Sequence, residues 1–135
     1  MKRRSVLAIA LALFVAACSD SSGPDDAEVE GTFTLRTING AVLPFTLEET
    51  SAGKVEVMSD FYTLNDDGTY DSTIDFRLTE AGEVTLDSAN ESGTYSVRGS
   101  RVTFTPSVDP SGYTATYADG KLTFTSENVT AVYVR

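Results

Sequence analysis

The residues predict an all-β domain, an antiparallel up-and-down meander that closes into a small β-barrel, and three observations carry that prediction. From Gly31 onward apolar and polar residues alternate with period two, no stretch after Ala17 holds a helical period, and short turn motifs separate the alternating runs. Thr69 to Leu78 shows the alternation best: Tyr70, Ile74, Phe76 and Leu78 share one parity with Ser72, whereas Asp71, Thr73, Asp75 and Arg77 take the other. A strand sends two such sets to opposite faces, one dry and one wet. A β-sandwich is the alternative architecture, but the Cys-Trp-Cys core of immunoglobulin-like sandwiches needs a tryptophan and a second cysteine that the chain lacks.

The chain opens with a segment that is not part of this fold. Met1-Lys2-Arg3-Arg4 is a basic start, Val6 to Ala17 is an apolar run, and the small residues Ala16 and Ala17 precede Cys18. Those are the three parts of a secretory signal, expected over residues 1–17 with cleavage after Ala17. A helix needs about 20 apolar residues to span a bilayer, and this run ends sooner in Ser19, Asp20, Ser21 and Ser22. Val15-Ala16-Ala17-Cys18 resembles the lipobox of bacterial lipoproteins. That resemblance implies acylation of the Cys18 thiol, cleavage before it, and a membrane anchor made of acyl chains. It also implies that Ser19, standing after the cysteine in place of an aspartate, permits sorting to the outer membrane in diderm bacteria.

Residues 18–28 follow as an acidic tether rich in Ser, Gly, Pro and Asp, with no apolar period. Ten such residues reach roughly 18 Å as a flexible chain. The 10 Lys and Arg stand against 20 Asp and Glu, and Lys2, Arg3 and Arg4 lie in the signal. With those three gone, seven basic residues face twenty acidic ones, a net of −13. That balance opposes nucleic acid, whose phosphates need clustered Lys and Arg, and disfavours flat adsorption on anionic lipid. Cys18 is the only cysteine, so burial and strand pairing alone must hold the domain of residues 29–135.

Within that domain the alternation recurs at Phe33/Leu35, Val55/Val57, Val84/Leu86, Tyr95/Val97, Val102/Phe104, Tyr113/Ala115/Tyr117, Leu122/Phe124 and Val132/Val134, which makes nine or ten strands. Turns are expected at Asn39-Gly40, Asn65-Asp66-Asp67-Gly68, Glu91-Ser92-Gly93, Gly99-Ser100, Pro110-Ser111-Gly112 and Asp119-Gly120, where Gly supplies positive φ and Asn or Asp tolerates it. Hairpins this short join antiparallel neighbours, and about eight strands can close and abolish their edges.

In this order, Gly31-Thr32-Phe33-Thr34-Leu35, Ile38-Asn39-Gly40, Leu43-Pro44, Leu64-Asn65-Asp66-Asp67-Gly68-Thr69-Tyr70, Ser92-Gly93-Thr94-Tyr95 and Val102-Thr103-Phe104-Thr105 make the chain similar to the lipocalin-like lipoproteins of bacteria. The resemblance implies a lipocalin-like barrel anchored in the cell envelope. Lipocalins start their first strand with Gly-x-Trp, the tryptophan lying beneath an arginine; here the stretch reads Gly31-Thr32-Phe33, and Phe33 is expected to pack against Arg135.

Catalytic chemistry finds little footing. Without histidine there is no Ser-His-Asp or Cys-His arrangement and no imidazole metal ligand, and an acylated Cys18 is no nucleophile. Of the carboxylate pairs, Glu48/Glu49 point to opposite faces and Asp71/Asp75 to the wet one, which leaves Asp66/Asp67 in a turn. Asn65-Asp66-Asp67-Gly68 with Asp71 lacks the glutamate that completes a calcium loop, and a hairpin accounts for it. Lys54 and Lys121 begin strands, where a solvated end is expected. No catalytic, cofactor or metal residue is assigned, and the expectation is a non-enzyme. Two roles stay open: a barrel that holds a small apolar or amphipathic ligand among Tyr70, Phe76, Tyr95, Phe104, Tyr113 and Phe124, and a protein-interaction module that uses hairpin tips such as Ser107 to Gly112.

Overall fold

Period-two alternation makes strands, and the turn residues between them set which strands become neighbours. The computed structural model describes residues 28–135. It arranges them as β1 (Gly31–Ile38), β2 (Ala41–Val42), β3 (Phe45–Glu49), β4 (Gly53–Leu64), β5 (Thr69–Glu80), β6 (Glu83–Arg98), β7 (Arg101–Pro106), β8 (Tyr113–Ala118), β9 (Lys121–Ser126) and β10 (Val129–Val134). There is no helix among the described residues. The expected cleavage after Ala17 and the expected acylation of Cys18 lie outside them.

The sheet runs β2-β1-β10-β9-β8-β7-β6-β5-β4-β3, all antiparallel, and a further pairing of β1 with β4 closes eight of the ten strands into a barrel. The up-and-down meander is therefore the observed fold, and the sandwich is not. Turns fall at Asn39-Gly40 and Asp119-Gly120, where all four residues have positive φ as hairpin turns of this kind demand. The Asp66-Asp67 turn is a hairpin as well: Asp67 Oδ1 accepts from the Thr69 backbone N–H at 2.9 Å and from its hydroxyl at 2.6 Å.

Glu91-Ser92-Gly93 departs from expectation. The segment continues straight from one run into the next, so that Val84/Leu86 and Tyr95/Val97 belong to a single strand, β6. Gly93 is needed there for closeness and not for a turn, because a Cβ at this position would meet the Thr105 carbonyl oxygen at 2.1 Å. The turn that does reverse the chain, Ala81-Gly82, places an alanine at φ 49° and so carries no Asn or Asp signal.

The core sits inside the barrel. Phe33, Leu64, Tyr70, Val102, Phe104 and Leu122 are fully buried. All six aromatics expected to face inward lie in or against this core. Phe104 is its centre, with ring centroids of Tyr62, Tyr70, Tyr113 and Phe124 at 5.3, 5.0, 5.3 and 5.5 Å. Rings at these offsets attract by about 0.5–1.5 kcal/mol per pair beyond their burial. At the base, where Gly31 pairs with Leu64, the Arg135 guanidinium lies 5.2 Å from the Phe33 ring and 5.8 Å from Tyr117, so the expected Phe33–Arg135 contact is present. Arg135 also donates to the Glu28 carbonyl at 3.1 Å, holding the incoming chain to the base.

Candidate functional site

Three strands outlast the barrel. β1 accompanies β4 only from Gly31↔Leu64 to Thr34↔Phe61, after which β4 continues with β3 from Phe45↔Val57 to Glu49↔Lys54. On the other side β7 accompanies β6 only down to Pro106↔Gly93. Beyond those points β3, the first half of β4, the second half of β5 and the first half of β6 form a four-stranded flap that rises from the mouth opposite the base. From Phe61 to Gly53 it extends roughly 26 Å at strand rise.

A bulge at Met58 makes the flap continuous with the barrel interior. β4 pairs Val57 with Phe76 and Ser59 with Asp75, so one residue is skipped and Val55 and Val57 join Asp60, Tyr62 and Leu64 on the inner face. The inner face of the flap thus carries Val55, Val57, Ile74, Phe76 and Leu78. Its outer face carries Glu56, which takes Lys54 Nζ at 2.9 Å and Arg77 Nη2 at 2.8 Å. Arg77, then Lys54, hold the Glu56 carboxyl down at about 2. Lys54 is thus an ion-pair partner where a solvated strand end was expected.

At the mouth the inner face turns polar, and sequence reading missed this cluster. Asp60 is buried and takes the Tyr133 phenol at 2.5 Å. Burial raises its pKa to about 6, with Glu91 and Asp75 pushing the same way and the Tyr133 bond opposing. Glu91 Oε1 accepts the Tyr70 phenol at 2.7 Å and also the Tyr113 phenol. With its one proton spent on Glu91, Tyr113 accepts from the Tyr62 hydroxyl at 2.9 Å. Burial raises the Tyr62 phenol to about 12 and pushes Tyr70, Tyr113 and Tyr133 further up, so all four remain donors at neutral pH. The cluster ties β4, β5, β6, β8 and β10 together where the flap departs.

The outer edge of the flap is different in kind. Among the described residues, no strand covers β6 between Glu83 and Glu91, although β5 pairs it throughout. Val84 and Leu86, expected to face inward, are 60% and 75% exposed on the outer face, because unbroken parity from Tyr95 back through Gly93 puts even-numbered residues outside. The Ser107–Gly112 tip sits at the foot of this edge, with Ser107 N–H donating to the Ser92 carbonyl at 2.9 Å and Val108 91% exposed. Asp109 Oδ1 shapes the tip by accepting from Ser111 N–H and hydroxyl.

The carboxylate pairs picked from sequence do not form a site. Glu48 and Glu49 are exposed on β3, and Asp66 is exposed in its turn. Asp75 binds the Ser59 and Ser88 hydroxyls at 2.6 and 2.5 Å on the outer face, away from Asp71. Fold and surface together define a small antiparallel β-barrel that carries an open-edged sheet extension. No protein-family model matches the chain, and no curated protein matches it.

Proposed function

We propose that this chain is a lipid-anchored envelope lipoprotein that works as a protein-interaction module, with the flap as its contact surface. The observation that carries this reading is the placement of the open edge of β6, with exposed Val84 and Leu86, at the end of the molecule opposite the incoming chain. From Leu64 at the base to Gly53 at the tip is roughly 36 Å of strand. A barrel tethered through Cys18 would hold its flap away from the bilayer, toward proteins of the envelope. In a diderm host Ser19 would send it to the outer membrane.

The ring cluster around Phe104 weighs against a captured apolar ligand, since side chains occupy the space such a ligand would take. No catalytic role is proposed: Asp60 Oδ2 and Glu91 Oε1 accept from tyrosine phenols that bind the mouth together. Photo-crosslinking in living cells tests the module. A crosslinker at Leu86 or Val108 is expected to trap a protein, and one at Lys121 on the base is not. Absence of any trapped protein, together with extra native mass that is lost on denaturation, would replace this reading with a ligand carrier. Cys18→Ser is expected to release the protein from the membrane fraction.

A further inference from the structure

The edge of β6 is not merely uncovered; its backbone is aimed outward in a known register. Ser92 directs its carbonyl away from β5 toward Ser107, whereas the Tyr95 N–H points to the β5 side, at the Gly68 carbonyl. The β5–β6 register has no bulge, so the alternation holds along the strand. Val84, Leu86, Ser88 and Asn90 therefore present N–H and C=O groups to the open side, and the odd-numbered residues between them bond to β5.

Natural sheets blunt such an edge with proline, a bulge, brevity or charge, lysine above all. The other open edge of the flap, β3, has all but the lysine: Pro44 precedes it, a bulge lies between Thr46 and Glu48, and it is five residues long. Glu83 to Ser92 has no proline, no lysine or arginine and no bulge. What it has is charge on one face. Glu83 and Asp87 are exposed on the inner side, and Glu91 follows at the same spacing where the strand meets the barrel.

This charge selects the occupant. If a second copy paired antiparallel along the whole segment, Glu83 would face Glu91 and Asp87 would face Asp87, acid against acid throughout. Opposite charges directly across a ladder attract and like charges repel. Building on the interaction-module reading, we propose that the β6 edge takes up, by strand addition, an extended segment of a partner protein with lysine or arginine across from Glu83 and Asp87 and apolar side chains across from Val84 and Leu86. Main-chain bonds would supply affinity, and the alternation of basic and apolar residues would supply specificity.

The probe is a nine-residue synthetic peptide of threonine with lysines placed across from Glu83, Asp87 and Glu91 and valines across from Val84 and Leu86, titrated into the full chain in detergent and followed by amide hydrogen exchange. Binding is expected to slow exchange at Val84, Leu86, Ser88 and Asn90. A peptide with glutamate in place of each lysine is expected to bind about tenfold more weakly or worse. Leu86→Pro removes one outward N–H without touching the β5 ladder, so it is expected to fold and to lose the peptide. Equal binding by Leu86→Pro, or protection confined to other amides, would overturn strand addition. Equal binding of the glutamate peptide, or a dimer of the chain that resists the lysine peptide, would overturn the partner chemistry. No binding at all would overturn the inference while the crosslinks at Leu86 and Val108 still decide the module reading.

Discussion

Asp60 and Glu56 sit one and five residues beyond the barrel's β1–β4 pairing limit at Phe61, yet they answer pH in opposite senses. Asp60 is raised from 3.8 to about 6 by burial, so its favourable contribution is complete below its unfolded value and is lost as pH rises through about 6. Two pKa units correspond to about 3 kcal/mol at most. Asp60→Asn, which can still accept from Tyr133, is expected to melt close to wild type near pH 4 and above it beyond pH 6. A melting profile that is parallel for both proteins across that range would remove Asp60 as the source. Glu56, held at about 2 by Arg77 and Lys54, contributes above its unfolded value of 4.5 and loses that contribution as pH falls through about 2. Glu56→Gln should therefore be less stable than wild type at neutral pH, with the gap closing in acid. Arg135→Ala is expected to cost about 0.5–1 kcal/mol through its contact with Phe33, a drop of a few degrees in melting temperature. Of these residues only the Phe33–Arg135 pair was legible in the sequence. Asp60 and Glu91 share parity with Tyr62/Leu64 and Tyr95/Val97, and that parity was the available signal; a polar residue on an apolar parity reads as a strand end until its phenol partners, distant in sequence, are placed beside it.

At the scale of elements, alternation within a run was readable and its continuity between runs was not. Tyr70 to Leu78 face as expected because one unbroken run fixes its own parity. Val84 and Leu86 were turned the wrong way because Glu91-Ser92-Gly93 has the composition of a turn, and a turn would have let the parity restart. The structure spends Gly93 on the approach of Thr105 instead. Gly93→Ala is expected to destabilise by about 1–3 kcal/mol, seen as a lower denaturant midpoint, because backbone must move to admit the methyl group. A neutral result would mean that β7 can withdraw from β6 at no cost. Length was the other hidden quantity: β4, β5 and β6 exceed the usual strand, and the Ala81-Gly82 reversal carries too little turn chemistry to announce where they end.

For the whole molecule, closure depends on strands far apart in sequence, since β1 joins both β4 and β10. The meander and its closure were legible from hairpin spacing alone; the flap was not, because no local signal says where a neighbour stops. That stopping gives the molecule a mechanical axis. β4, β5 and β6 run unbroken from tip to base, so a pull between Gly82 and Glu28 loads their ladders lengthwise, with many hydrogen bonds sharing the force in shear. A pull from Leu47 to Leu86 crosses the flap and opens the ladders one bond after another. Optical-trap measurements are expected to give a higher rupture force for the first geometry than for the second. A segment lying along β6 would share the stiff direction, and a tug on it away from the base would be borne by the barrel wall.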